Sequence, residues 1–346
     1  MKNKYLIRMA ISMVGAVILF VFVVNNSWMY KSPVAKVLAV HNNGNKQSIE
    51  LRLENGSDKG KTVYVKNKYD KSQVYDERYF KHDYVFLNDE YTGITGIKRD
   101  YWVAAIFLFL LSSLITIGGK RGTYTSLCIL GNIALFGIII YMNMRGVDIL
   151  YMTIAGTVVF TFFVLLVVDG LSHRMMLSFA AALLTTLLLS SLVMLLIWHT
   201  DIDYDFLHFL PEPFTTTDAN HFFLAQIIIG CLGAVIDVSV TITAACMELI
   251  ERTPSISNKS LLRSVREVAD DINGTMISVV LLTNIASTLP IFLISMSNEI
   301  SFRTVVSHDA YFYIVRSLTG MLSIVVAILV STFITSLVAR KELKHD

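Results

Sequence analysis

The chain has 346 residues, 54% of them hydrophobic and only 16% charged, with a formal net charge of +2. Soluble domains carry about 25% charged residues, so this composition belongs to lipid, and with no basic stripe interleaved with aromatics nucleic acid is excluded as a partner. The cysteines Cys128, Cys231 and Cys246 all lie within apolar runs, which excludes a disulfide framework or zinc spacing.

In chain order, apolar segments near 6–25, 101–118, 124–143, 149–168, 175–198, 222–247, 272–296 and 313–338 are candidates to cross a core that needs about 20 residues. The first follows Lys2, Lys4 and Arg8 and resembles a signal peptide. Because "VVNNSWMYKS" offers no small-x-small cleavage site, an uncleaved anchor is expected. Orientation is read from Lys and Arg in the short loops. With the N-terminus inside, Lys2, Lys4, Arg8, Lys120, Arg121, Arg174, Arg252, Lys259, Arg263, Arg266, Arg340, Lys341 and Lys344 are all cytoplasmic, against Arg145 and Arg303 in the short outer loops. That bias predicts an even number of spans with both termini cytoplasmic and residues 31–100 outside.

Within 31–100, "AKVLAVHNN", "SIELRLEN", "KTVYVKNKY" and "DYVFLND" alternate apolar and polar residues between Asn, Gly and Asp turn clusters, the pattern of antiparallel strands with one buried face. At least four strands are predicted, as a small barrel or sandwich. His41, His82 and Asp83 lack metal-ligand spacing and read as solvated surface groups. A second outer stretch, "HTDIDYDFLHFLPEPFTTTDANH", places Asp201, Asp203 and Asp205 at alternate positions. A calcium loop is excluded by Phe206, where the turn glycine belongs. Trp198, Tyr204 and Phe209 fit an interfacial aromatic belt.

The sixth span, "GCLGAVIDVSVTITAACMELIER", carries Asp237 halfway along. A carboxylate in hydrocarbon costs at least about 2.5–3.5 kcal/mol. Gly230, Ala234, Asp237, Thr241, Ala245 and Glu248 recur at three- and four-residue steps and share one face. That face is expected to point into the bundle. Two readings stand side by side: a packing seam with one hydrogen-bonded acid, or a water-lined path in which Asp237 binds a cation or relays a proton. From Glu248 to Asp237 is about 16 Å along a helix, and from Ile272 to Asn284 about 18 Å, which predicts Asn284 level with Asp237 as its partner. Arg316, near the outer end of the last span, is expected to snorkel. The stretch "NKSLLRSVREVADDINGTM" is expected to be an interfacial helix with Leu261, Leu262, Val265 and Val268 on one side. Asp271 reads as a helix cap or as part of a cytoplasmic polar gate with Glu248 and Arg266.

These residues resemble the YibE/F family of bacterial membrane proteins. "GCLGAVIDVSVTITAACMELIERTP", "DINGTM" at 271–276 and "IVRSLTG" at 314–320 carry the likeness, with weaker similarity at "KRGTY" and "RGVDIL". Asp237, Glu248, Asp271, Thr275 and Arg316 match the family's polar positions. The chain departs at Tyr313, where an acid is usual in the family, and has no proline around Leu329. The resemblance implies the fold and a location in the bacterial plasma membrane, and no settled activity.

The expected architecture is an all-α polytopic membrane bundle of about eight transmembrane helices, with a small extracytoplasmic β domain inserted after the first helix. It comprises an anchor over 1–30, the β domain over 31–100 and a seven-helix bundle over 101–346 with an amphipathic segment at 255–271. The expected function is that of a permease or transport component for an ion or small solute, with Asp237, Asn284, Thr241, Glu248, Asp271 and Arg316 as the polar site. The alternative is an accessory or scaffold protein whose outer domain binds an envelope protein through 31–100. No HExxH, P-loop or nucleophile elbow appears, and Asp237 is the only mid-membrane acid. No enzyme activity, cofactor or metal is therefore expected.

Overall fold

A computed structural model describes residues 2–70, 76–199, 216–307 and 311–342. The acidic residues Asp201, Asp203 and Asp205 and the aromatic residues Tyr204 and Phe209 lie outside the described residues. The chain forms two compact units, Met1–Ser126 and Leu127–Asp346.

The first unit opens with α1 (Lys2–Val24) and continues into strands β1 (Val34–Asn43), β2 (Lys46–Leu53), β3 (Thr62–Lys68), β4 (Tyr84–Leu87) and β5 (Ile94–Ile97). They form one antiparallel sheet in the order β3-β2-β1-β4-β5. The expected alternation is present: on β2, Gln47, Ile49, Leu51 and Leu53 are buried between more exposed neighbours. The expected barrel or sandwich is not. β3 and β5 remain edges, because two four-residue strands on one side cannot curl far enough to meet the long strands on the other.

Two buried amides hold the irregular segments to the sheet. Gln47 accepts from Tyr79 N (3.0 Å) and Asn67 Nδ2 (3.1 Å), and donates to Tyr79 O (3.0 Å) and Asn42 Oδ1 (2.9 Å). Each of its polar atoms is thus satisfied, as burial requires. Asn55 accepts from Val34 N (2.7 Å) and donates toward the carbonyls of Ser27, Tyr30 and Ser32, drawing the connection after α1 onto the sheet.

Sheet and helices of this unit meet at Lys98, whose side chain is fully buried. Its ammonium donates to the Val23 carbonyl, lies 3.1 Å from Asp100 and stands over the rings of Tyr30 and Tyr101. Tyr30 in turn donates to Asp100. A buried charge persists only when paired and hydrogen-bonded, and this one is held by the end of α1, the segment after it and the start of α2.

Helix α2 (Asp100–Met144) would run about 67 Å if straight, twice the hydrocarbon thickness. It reverses at Gly119, whose φ of 57° and ψ of −125° are non-helical. Ser126 Oγ donates to Leu111 O at 3.3 Å across fifteen residues, which only a fold-back allows. Gly122 sits in the crook. A Cβ there would meet the Leu114 carbonyl oxygen at 1.9 Å.

The second unit holds the rest of α2 together with α3 (Ile149–Asp169), α4 (His173–His199), α5 (Thr216–Arg252), α6 (Asn258–Ser297), the short α7 (Phe302–Ser307) and α8 (Tyr311–Glu342). Among the described residues six helices, α2 to α6 and α8, are long and apolar enough to cross a membrane, and α1 adds the shorter apolar stretch Met9–Val24. α5 is central, packed by α3, α4, α6 and α8, with Phe223, Ile227, Val235, Ile242, Cys246 and Ile250 buried. The expected interfacial helix is instead the first part of α6, which runs unbroken from Asn258. Leu261, Val265 and Ala269, spaced four apart, are buried in the main core, while Leu262 faces outward.

Two outcomes are expected. Gly122→Val forces a side chain into the Leu114 carbonyl, and overpacking of this kind costs about 1–3 kcal/mol, read as a lowered Tm of the detergent-solubilised protein. Burial, then the hydrogen bond and charge of Asp100, push the Tyr30 phenol from 10.0 up to about 12. A raised value favours the neutral phenol in the folded state, so its contribution is complete below pH 10 and disappears as pH rises toward 12. Tyr30→Phe flattens that alkaline loss of stability, as followed by circular dichroism.

Candidate functional site along α5

On α5 the residues at the predicted three- and four-residue spacing do form one face, but it is the uncovered one. Gly230, Asp237, Thr241 and Glu248 are exposed and Ala234 and Ala245 half-buried, while Val235, Val238, Ser239, Ile242, Thr243 and Cys246 are buried. The helix-packing seam lies on the other side. Ser239 and Thr243 are fully buried with Ser323, Ala327, Ser331 and Thr335 of α8, and Thr335 Oγ1 donates to Thr243 Oγ1 at 3.5 Å. Small and hydroxyl-bearing side chains let helices approach closely in lipid. This seam therefore does the packing that the sequence assigned to the Asp237 face, and leaves that face open.

Three polar stations follow one another along the open face. At the first, the stem of Arg316 passes Gly230, where an added Cβ would lie 3.7 Å from Arg316 Cδ. Arg316 Nε donates to Asn284 Oδ1 at 2.9 Å, and the guanidinium stands over the Tyr313 and Phe312 rings at 5.5 and 5.9 Å. Arg316 is half-buried and bonded within the bundle; it does not snorkel.

At the second, Asp237 lines a cavity of about 360 Å³ between the second limb of α2, α3 and α5. Its walls are apolar apart from Asp237 and Asn132, and the Asn132 Oδ1 is buried with no hydrogen-bond partner. Among the described residues no side chain donates to the Asp237 carboxylate, and Thr241 Oγ1 is turned to the Asp237 backbone carbonyl at 2.9 Å.

At the third, Glu248 and Arg252 form an ion pair at 2.6 Å and share a cleft of about 490 Å³ with Ser264, Glu267 and Asp271 of α6. Glu248 and Asp271 are thus brought together, whereas Arg266 faces Asp270 at 4.0 Å. Thr275, one turn further along α6, donates to the Ile272 carbonyl at 3.0 Å.

The expected pairing of Asp237 with Asn284 does not form. Asn284 donates to the Val280 carbonyl at 2.8 Å and accepts from Arg316. The register explains it. α6 begins at Asn258 and not near Ile272, so Asn284 lies 26 residues into α6. Measured back from Arg252 at the end of α5, Gly230 is 22 residues away and Asp237 only 15. Asn284 therefore falls near the level of Gly230, about 10 Å from Asp237 along the axis.

Sequence reading missed two residues. Asn132 was signalled by its isolation in the apolar run "LGNIALFG". Asp148, in "RGVDIL", caps α3 by accepting from Leu150 N at 2.7 Å and also holds His221 of α5, tying the starts of the two helices together. Among the described residues no group of three or more His, Cys, Asp or Glu is arranged to hold a metal ion.

Long apolar helices around a partly polar interior, joined in one chain to a small antiparallel sheet, define a multi-pass membrane protein. The chain belongs to the YibE/F family: the family model of the YibE/F-like protein matches residues 105–341 and that of the YibE/F family N-terminal domain residues 28–99. No curated protein and no solved structure matches it.

The Arg316–Asn284 contact is testable by a double-mutant cycle with Arg316→Met and Asn284→Leu. Removing the acceptor alone strands a half-buried charge, and each single change is expected to cost about 1–3 kcal/mol. The double variant should be less destabilised than the two losses added together, measured by thermal unfolding in detergent.

Proposed function

We propose that this protein is a permease or transport component for an ion or small solute, seated in the bacterial plasma membrane with both termini cytoplasmic and residues 31–100 outside. The path runs along the open face of α5. From Gly230 to Glu248 is eighteen residues, about 27 Å of helix, against a hydrocarbon core of about 30 Å. Along that distance stand Arg316 with Asn284, then Asp237 with Asn132, then Glu248 with Asp271.

The observation that carries the reading is Asp237 itself. Ionisable groups within membrane helices face a cavity or a partner and mark substrate and ion pathways. Here the partner is missing among the described residues, the cavity is present, and the packing seam lies elsewhere on the helix. A buried seam acid would be hydrogen-bonded into the facing helix, as Asn284 is to Arg316.

The test is flux in proteoliposomes. Asp237→Asn keeps size and shape while removing the charge, and is expected to reduce proton or solute flux at least tenfold with little change in Tm. Undiminished flux in the variant would remove Asp237 from the path.

A further inference from the structure

We infer that the cavity between α2, α3 and α5 is a binding site for a monovalent organic cation, an ammonium group carried on an apolar body. The inference rests on the transport reading above and names the chemical class the path accepts at mid-membrane.

Charge comes first. The one charged group in the cavity is the Asp237 carboxylate, which accepts only, and the only other polar side chain on its walls is Asn132, whose Oδ1 is itself buried without a donor. A carboxylate among apolar walls at membrane depth is costly without a donor or counter-charge, and it calls for a ligand that donates. None of the residues lining the cavity is basic, so among the described residues the donor is not supplied by the chain. A single carboxylate matches a single positive charge.

Wall chemistry then separates an organic cation from a divalent metal ion. Calcium takes 6–8 oxygen ligands and magnesium demands a near-octahedral shell. One carboxylate cannot replace such a shell, and Val164, Leu165, Leu232 and Ile236 offer nothing more. A substituted ammonium loses less on leaving water. It can direct its N–H groups at the carboxylate while its carbon body lies on the same apolar walls. Phe160 adds an aromatic ring, and rings attract cations.

Size points the same way. A volume of about 360 Å³ falls at the lower end of small-molecule sites, about 300–1,000 Å³. It corresponds to roughly a dozen water volumes at about 30 Å³ each, far more than a proton relay or a bare ion requires.

The experiment uses the full-length chain purified in detergent for binding and reconstituted in vesicles for uptake. Radiolabelled 2-phenylethylamine and cyclohexylamine, both protonated at pH 7, are the probes, and 2-phenylethanol is the neutral competitor. Saturable binding of at least one probe is expected, with no displacement by the alcohol and a loss of affinity of tenfold or more in Asp237→Asn. Val240→Phe fills the cavity and keeps the carboxylate, and it should abolish binding equally, so it decides the matter if Asp237→Asn does not fold. Absence of saturable binding of both probes, or binding unchanged in the variants, overturns the inference. Asp237-dependent binding without uptake upholds the cation site and overturns transport. Asp237-dependent proton or inorganic-cation flux without binding of either probe upholds transport and overturns the organic-cation site.

Discussion

The contact between α5 and α8 is the interaction on which the bundle depends. In lipid there is no hydrophobic gain from bringing helices together, so close approach of backbones and shared hydroxyls must supply it. Ser239 and Thr243 on α5 and Ser323, Ser331 and Thr335 on α8 are all fully buried, with Ala327 among them. Once that seam is set, α4 packs on both helices, α3 on α5, and α6 along α8. The orientation of α5 about its own axis is set at the same time, and with it the direction in which Asp237 points.

That constraint explains why a helix so enclosed has one open face. A residue at position 237 is two positions from 239 and therefore about 200° away around the helix. Turning Ser239 into the α8 seam turns Asp237 away from it, toward Asn132 and the α3 side chains. The same rotation carries Glu248 to the cleft with Glu267 and Asp271 at the end where α5 joins α6. The polar stations are thus consequences of a single packing choice.

Within the first unit a different principle operates. Lys98 is tolerated in its buried place because three chain segments converge on it with a carboxylate, a carbonyl and two aromatic rings. Removing one partner of such a group leaves the other uncompensated, so the short connections on either side of the sheet are held more firmly than their length suggests. Asn55 does the same for the stretch between α1 and β1 with four hydrogen bonds from one amide.

Hydropathy and alternation were sufficient for the apolar helices, for the strands β1 to β4 and for their buried faces, because each depends on a local period: a run of apolar residues long enough for lipid, or every second side chain turned to one side. The shared face of Gly230, Asp237, Thr241 and Glu248 was legible for the same reason, and "DINGTM" and "IVRSLTG" pointed to the family that the chain belongs to. What a local period does not contain is the direction of that face, the level of Asn284, or the placing of Asp237 and the distant Asn132 on one cavity. Those were decided by tertiary packing. The side of α5 that meets α8 was chosen by competition between two small-residue stripes on one helix, and the start of α6 at Asn258 moved every residue above it along the bundle.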